Sequence, residues 1–324
     1  MKIFVTRKIP DPGLDLLINK FDVEVNPYDR LLTKEEIIKG LKEKDGLLCL
    51  LTDNIDKDVI NSEPKLKMIA NYAVGFDNVD IKTATKKGIP ISNTPRVLTD
   101  ATSDMAWALL FSVSRRIVEG DKLTRSGQFK GWSPMLMIGQ DISKKTLGII
   151  GAGRIGTAFA LKSKGFKMNV LYTDTKINKT LEKELNAKKV DFSTLLKQSD
   201  FISLHVNLTR TTHHLISERE LKVMKKNAIL INTSRGPVVD EKALVKALQE
   251  KWIFGAGLDV YENEPKISKK LKELQNIVLQ PHSASATFES RNNMAILAAK
   301  NLIAGLKGEI PPNCVNPEVF KKKS

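Results

Sequence analysis

Leu147-Gly-Ile-Ile-Gly-Ala-Gly-Arg-Ile-Gly156 decides the fold. A short apolar run enters GAGRIG, and a stretch with helical spacing, 154–164, follows. Each glycine has a mechanical reason. Gly151 makes the tight turn, Gly153 lets backbone approach a pyrophosphate, and Gly156 lets the helix pack on the strand. The helix N-terminus adds free N–H groups and a partial positive charge for phosphates. A glycine-rich turn alone is a weak signal, but here the context agrees. A second strand candidate, 168–172, follows the helix, and Asp174 stands 23 positions after Gly151. A carboxylate there accepts from the ribose 2′-OH of NAD and repels a 2′-phosphate. NAD is therefore favoured, with NADP possible because Lys176 is near. The plainer readings are an α/β turn without a ligand and an Asp174 that only serves its own turn.

Outward from this unit, strands and helices alternate along the whole chain, the pattern of parallel-sheet α/β domains. On the N-terminal side, strand candidates are 2–6, 47–51, 68–70 and 89–92, with helices at 12–20 and 34–43. A long helix is expected over 105–118, after the capping residues 100–104. The stretch 126–141, with Gly127, Gly131, Trp132, Pro134 and Gly139, is irregular and reads as an arm with a purpose. On the C-terminal side, strands are expected at 201–206, 228–232, 255–258 and 277–279. Helices are expected at 179–185, 241–250 and 288–306.

Composition bounds the partners. The 324 residues suffice for two domains, and 41% hydrophobic content fills two cores. No apolar run is long enough to span a bilayer, and the start, MKIFVTRKIPDPG, lacks the apolar core of a secretory signal. The net charge of +15 raises a nucleic-acid reading. The lysines, however, are interleaved with acids, as in TKEEIIKGLKEKD at 33–45, and aromatics are only 6%. That describes solvated helix faces and offers no stacking surface for bases. No nucleic acid and no membrane is expected, whereas small anions would be drawn in. The basic residues at 321–323 read as a frayed, soluble end. Cys49 sits in an apolar run and Cys314 between prolines, with no metal spacing and no expected disulfide. This usage suits a reducing cytoplasm, and no metal is expected.

Reducing a small keto acid requires a cation for its oxygens and an acid that protonates the new alkoxide. A carboxylate beside an imidazole would support that acid. The four histidines are His205, His213, His214 and His282. His213 and His214 lie in a polar, Thr-rich stretch and read as surface residues. His205 ends the strand 201–206 and His282 follows the strand 277–279, and both sit at strand C-terminal ends, where parallel sheets place ligands. Arg235, in INTSRGPVVDE, follows another strand and could pair two-pronged with a carboxylate. Glu264 and Glu262, in LDVYENEP, compete for the imidazole, and spacing does not choose between them.

Across nearly its whole length the chain resembles the D-isomer-specific 2-hydroxyacid dehydrogenases, and among them the glyoxylate/hydroxypyruvate reductases. The matching stretches are LLCLLTD, NYAVGFDNVD, TPRVLTDATSDMAWALL, KGWSPM, LGIIGAGRIG, INTSRGPVVDE, GAGLDVYENEP and PHSASAT. The resemblance implies two doubly wound parallel-sheet α/β domains. A Rossmann NAD-binding domain, 100–287, would be inserted in a flavodoxin-like substrate domain, 1–99 and 288–324. It implies Arg235 as the substrate-binding cation, His282 as the proton donor and Glu264 as its partner, in preference to Glu262. Leu51, Val74 and Gly75 would line the substrate pocket, the turn 73–75 through its backbone N–H groups. Trp132 would enter a partner subunit's pocket or pack a homodimer. Thr102, Arg154, Ile155, Val206, Thr233 and Asp259 would join the three glycines and Asp174 on the cofactor. The implied site is a cleft between domains, closing to expel water.

Two departures stand out. Asn207 occupies a position where proline is common, and Ala284 replaces a glycine near the nicotinamide. The competing readings are a reductase of another keto acid (2-ketogluconate, pyruvate or phosphohydroxypyruvate) and a non-catalytic NAD sensor on the same fold.

Overall fold

Two all-parallel sheets organise the chain, which is described over residues 1–321 by a computed structural model. Lys322 and Lys323 of the basic tail lie outside the described residues. The chain divides into two compact units, Met1–Leu98 with the chain from Ser285 onward, and Thr99–Ala284.

The first unit opens with β1 (Lys2–Val5), α1 (Asp11–Ile18), β2 (Asp22–Val25), α2 (Lys34–Leu41) and β3 (Gly46–Leu50). It continues with α3 (Lys57–Asn61), β4 (Met68–Tyr72), α4 (Ile81–Lys86) and β5 (Ile91–Ser92). The sheet order is β2-β1-β3-β4-β5, the flavodoxin-like winding. β4 is buried along its whole length, as a strand covered on both faces requires. The acid-rich start of α2 is fixed by a capping box, Thr33 accepting from Glu36 N–H while the Glu36 carboxylate accepts from Thr33 N–H. β2 and the helices α3 and α4 were not legible in the sequence. β2 is half-exposed and polar, and the two helices have five and six residues.

The second unit begins with α5 (Thr99–Ser114) and α6 (Ile117–Arg125). Then come β6 (Thr146–Ile150), α7 (Arg154–Lys162), β7 (Asn169–Thr173), α8 (Lys179–Leu185), β8 (Lys188–Lys189) and α9 (Phe192–Gln198). The rest is β9 (Phe201–Leu204), α10 (Glu218–Val223), β10 (Ile229–Asn232), α11 (Glu241–Gln249), β11 (Gly255–Leu258), α12 (Lys269–Glu273) and β12 (Ile277–Leu279). The order β12-β11-β10-β9-β6-β7-β8 is the Rossmann winding with one added strand. Its reversal lies between β6 and β9, so the glycine turn opens at the switch point. Trp107 of α5 stacks on Phe159 of α7 at 4.9 Å, and its indole N–H donates to the Phe159 carbonyl. This packing is buried and ties α5 into the unit.

The final helix, α13 (Phe288–Leu306), returns to the first unit and packs on α1. A side chain on Gly13 would lie 2.3 Å from the Ala295 backbone, so only glycine allows that approach.

The helix expected at 105–118 is corrected by the structure. α5 starts at Thr99, ends at Ser114, and is followed by Arg116 in the left-handed conformation. The returning arm causes the break: Gln140 N–H donates to the Ser114 carbonyl at 2.8 Å, and Gly139 sits against the same oxygen. The strand expected at 89–92 is likewise shorter, its pairing limited to Ile91 and Ser92. Cys49 is buried, and both cysteines are free thiols.

Candidate active site

Because the second sheet is all-parallel, its loops after β6, β7, β9, β10, β11 and β12 leave from one edge. Those loops carry Gly151–Gly156, Asp174, His205, Thr233 with Arg235, Asp259 with Glu264, and His282.

At the glycine turn, Gly151 adopts φ +92°, and an added side chain would strike the His205 carbonyl at 2.7 Å. A side chain on Gly156 would lie 2.1 Å from the Gly151 carbonyl. These two glycines are needed by the fold itself. Gly153 differs: the space its side chain would occupy is open. Its lack of a side chain serves something other than internal packing. Gly153 is the N-cap of α7, and no side chain caps that end. The Asp174 carboxylate accepts from Ala152 N–H at 2.7 Å, which locks the acid to the glycine turn. Thr233 is buried, and its hydroxyl has no hydrogen-bond partner among the described residues. A buried hydroxyl without a partner is costly unless a ligand supplies one. Open space at Gly153, an uncapped helix end, a placed carboxylate and an orphaned hydroxyl together fit a dinucleotide. Arg154 is exposed and Ile155 partly exposed at the same helix start, while Val206 is partly buried beneath Gly151. Thr102 is buried in the first turn of α5.

The catalytic candidates come together around Glu264. His282 Nδ1 lies 2.8 Å from Glu264 Oε2, and Tyr261 N–H donates to Glu264 Oε1 at 2.8 Å. Burial pushes the Glu264 carboxyl up, but the His282 bond and charge, the Tyr261 N–H and the Arg235 charge outweigh it. The net result holds Glu264 below its ordinary value, so it stays ionised. His282 itself sits at φ +53°, a left-handed conformation uncommon outside glycine. The next two backbone N–H groups, of Ser283 and Ala284, donate to the two oxygens of Asp259 at 2.7 and 2.8 Å. Burial raises the Asp259 carboxyl despite those donors. Asp259 thus pins the His282 loop to the end of β11. Ala284 is buried and has no positive φ, so its methyl requires no glycine-only backbone.

Arg235 is held by its turn. Asn232 Nδ2 donates to the Arg235 carbonyl at 2.9 Å, and Asn232 Oδ1 accepts from both Ser234 N–H and its hydroxyl. Gly236 packs directly on the Tyr261 backbone, where a side chain would lie 1.8 Å from the carbonyl oxygen. That contact sets the Arg235 turn beside the Glu264 loop. Asn232, Gly236 and Tyr261 were missed by the sequence reading. The Asx-type turn in NTSRG was the signal for Asn232; Tyr261 and Gly236 had none.

The other histidines separate cleanly. His205 keeps a partly exposed surface but is densely surrounded by protein, and this loss of water drives its ring down to about 3. It bonds to Ser203 Oγ at 2.9 Å and stacks near Phe159. His205 thus lacks the carboxylate partner that His282 has. His214 is corrected from a surface residue: it is half-buried, with Nε2 2.8 Å from Glu262 Oε1. Glu262 also accepts from Glu241 N–H at 3.1 Å. Glu262 is therefore committed to His214 and α11, and Glu264 alone meets His282.

In the first unit, Leu51 follows β3, and Val74 and Gly75 are partly exposed in the loop after β4. Trp132 stands on the irregular arm with 84% of its surface exposed. Among the described residues, no helix is long and apolar enough to cross a membrane.

Comparison with known proteins identifies the family. The family profile described as D-isomer specific 2-hydroxyacid dehydrogenase, NAD binding domain, matches residues 107–284. A glyoxylate reductase of Thermococcus litoralis is 53% identical over 98% of both chains. One of Pyrococcus horikoshii is 52% identical over 99% of this chain and 97% of its own. A crystal structure of a protein from Thermus thermophilus superposes with a TM-score of 0.92 at 42% identity, covering 97% of this chain and 100% of that one. The chain belongs to the D-isomer specific 2-hydroxyacid dehydrogenase family.

Proposed function

We propose that this chain is a cytoplasmic reductase of glyoxylate and hydroxypyruvate that uses NADH in preference to NADPH. The observation that carries the reading is the Glu264–His282 pair at 2.8 Å, with the Arg235 charge acting on the same carboxylate. When bound, the reduced nicotinamide supplies a hydride to the keto carbon. Arg235 holds the substrate's carboxylate and keto oxygen by charge-assisted hydrogen bonds. With Nδ1 committed to Glu264, His282 Nε2 is the nitrogen left to pass a proton to the developing alkoxide. Glu264 fixes the ring and compensates the charge of the protonated form. The product is the 2-hydroxy acid, achiral glycolate from glyoxylate or D-glycerate from hydroxypyruvate, and one proton is consumed from solvent per turnover.

The second unit would hold the cofactor through Gly151, Gly153, Arg154, Ile155, Gly156, Asp174, Val206, Thr233, Asp259 and Thr102. The preference for NADH rests on Asp174, because a carboxylate locked to the glycine turn would repel a 2′-phosphate. Leu51 and the backbone N–H groups of Val74 and Gly75 would bind the keto acid. A second copy would cover the exposed Trp132, making a homodimer.

The test is nicotinamide oxidation with glyoxylate, hydroxypyruvate, pyruvate and 2-ketogluconate, each with NADH and with NADPH. Faster turnover of the first two acids with NADH is the expected result. NADH binding without turnover of any acid would instead mark a sensor.

A further inference from the structure

The loop after β4 has a backbone held from one side only. Its three successive carbonyls are all taken: Ala73 O accepts from Thr94 N–H at 2.7 Å, Val74 O from Asn93 Nδ2 at 2.7 Å, and Gly75 O from Asn71 Nδ2 at 3.0 Å. None of the N–H groups of Val74, Gly75 and Phe76 has an acceptor among the described residues. A trans peptide is planar, so the carbonyl of one residue and the N–H of the next point in opposite directions. Clamping the Val74 carbonyl therefore sets the direction of the Gly75 N–H, and clamping Gly75 sets Phe76. Three consecutive N–H groups without an internal acceptor, each fixed by the carbonyl bonded behind it, are left for an anion to accept from.

The clamp is itself supported. The Asn93 carbonyl accepts from Asn301 Nδ2 of α13 at 2.9 Å, and Asn93 N–H donates to the Asn313 carbonyl at 3.3 Å. Asn71 is fully buried and also meets Asn78, whose Nδ2 donates to the carbonyls of Leu50 and Asp53. Asparagine suits such a place because its NH2 donates while adding no charge. The Asn93 and Asn71 amides are spent on the loop's carbonyls, so each would act through a peptide plane.

We infer that Asn93, seconded by Asn71, is a positioning residue that aims the backbone donors of the 73–76 loop at a substrate carboxylate. The inference rests on the proposed reductase reading for the identity of the acid, and not for the geometry of the clamp. Its consequence is specific. A carboxylate is present in substrate and transition state alike, so loosening its donors weakens binding without slowing chemistry.

The experiment compares wild type with Asn93→Ala and Asn93→Asp. Asn93 is only partly buried, so the alanine variant is expected to fold, and thermal melting checks this. Asn93→Asp keeps the shape but replaces the donor with an acceptor facing the Val74 carbonyl. Steady-state kinetics with glyoxylate are expected to give a KM raised about tenfold in Asn93→Ala, the loss of one hydrogen bond, with kcat within about twofold. Asn93→Asp should raise KM further. Calorimetry of oxamate, a carboxylate that is not turned over, binding to the NADH-loaded protein should show the same weakening, with NADH affinity unchanged. An unchanged oxamate affinity, a fall in kcat at constant KM, or an equal loss of NADH binding would each overturn the clamp. So would a wild type that binds no oxamate. A wild type that binds oxamate but reduces no keto acid would overturn only the reductase reading, and the oxamate comparison would still judge the clamp.

Discussion

The histidines show what one residue's neighbours decide. His205 and His282 looked equivalent in the sequence, each after a strand of the same parallel sheet. Their partners separate them: a serine hydroxyl and dense surroundings for His205, an ionised carboxylate for His282. Partners come from residues such as Ser203 and Glu264, whose direction no spacing rule gives, so that half of the site was illegible. The choice between Glu262 and Glu264 was illegible for the same reason, since His214 had been read as solvated. Arg235 and His282 were legible as candidates because strand ends can be found from apolar runs. His282→Ala should therefore lower kcat by at least the ~100-fold of a lost general acid. His205→Asn should keep turnover within a few-fold and act on stability instead. Its folded-state value lies near 3 against an ordinary 6.5, so below about 6.5 the unfolded chain takes up a proton that the folded chain refuses. Stability is then lost as pH falls through that window, by up to ~1.4 kcal/mol per pH unit. Thermal melting at about pH 7 and about pH 5 should show a smaller drop for His205→Asn than for wild type. Equal drops would show that His205 is not desolvated.

Among elements, the βαβ unit from β6 to β7 was the most legible because its glycines combine two kinds of demand. Gly156 and Gly151 are fixed by contacts inside the protein, and Gly153 faces open space. A fold can be recognised from the first kind, and a ligand only from the second. Gly156→Ala must push its methyl against the Gly151 carbonyl, so it should destabilise by ~1–3 kcal/mol, as overpacking does. Gly153→Ala meets nothing and has an ordinary backbone angle, so it should leave the melting temperature nearly unchanged. It should nevertheless weaken NADH binding at least about tenfold, by blocking close approach of the pyrophosphate. Fluorescence titration with NADH and thermal melting on both variants separate the two roles. Equal NADH affinity in Gly153→Ala and wild type would mean that the dinucleotide does not lie on this turn. Elements that failed to be read are those whose boundary depends on another segment. The end of α5 at Ser114 is set by Gly139 and Gln140 returning from the arm, a contact between residues far apart in sequence.

At the scale of the whole molecule, the sequence spoke clearly on winding and poorly on association. Alternating elements announced two parallel-sheet units, but a residue that faces another chain has the same apolar character as one that faces a core. The arm illustrates the difficulty. Phe129, Trp132, Met135 and Ile138 are 52%, 84%, 76% and 51% exposed, and Ile117 at the start of α6 is 52% exposed. Apolar side chains clustered so densely in one exposed stretch mark an interaction surface. The net charge of +15 works against such association, since two copies repel unless apolar burial outweighs the charge. The proposed homodimer therefore depends on that burial, and the dependence can be measured. Replacing Trp132 and Met135 together by glutamate adds charge to the cluster and should not disturb either unit, because both side chains are exposed. Light scattering of the wild type should give about twice the chain mass, falling toward the single-chain mass in the double variant. Circular dichroism should be unchanged. If Trp132 also enters the partner's substrate pocket, glyoxylate KM should rise along with dissociation and recover at high protein concentration for the milder Met135→Glu alone. A wild type that is monomeric at high concentration would end the dimer reading. A double variant that stays dimeric would place the interface elsewhere on the chain.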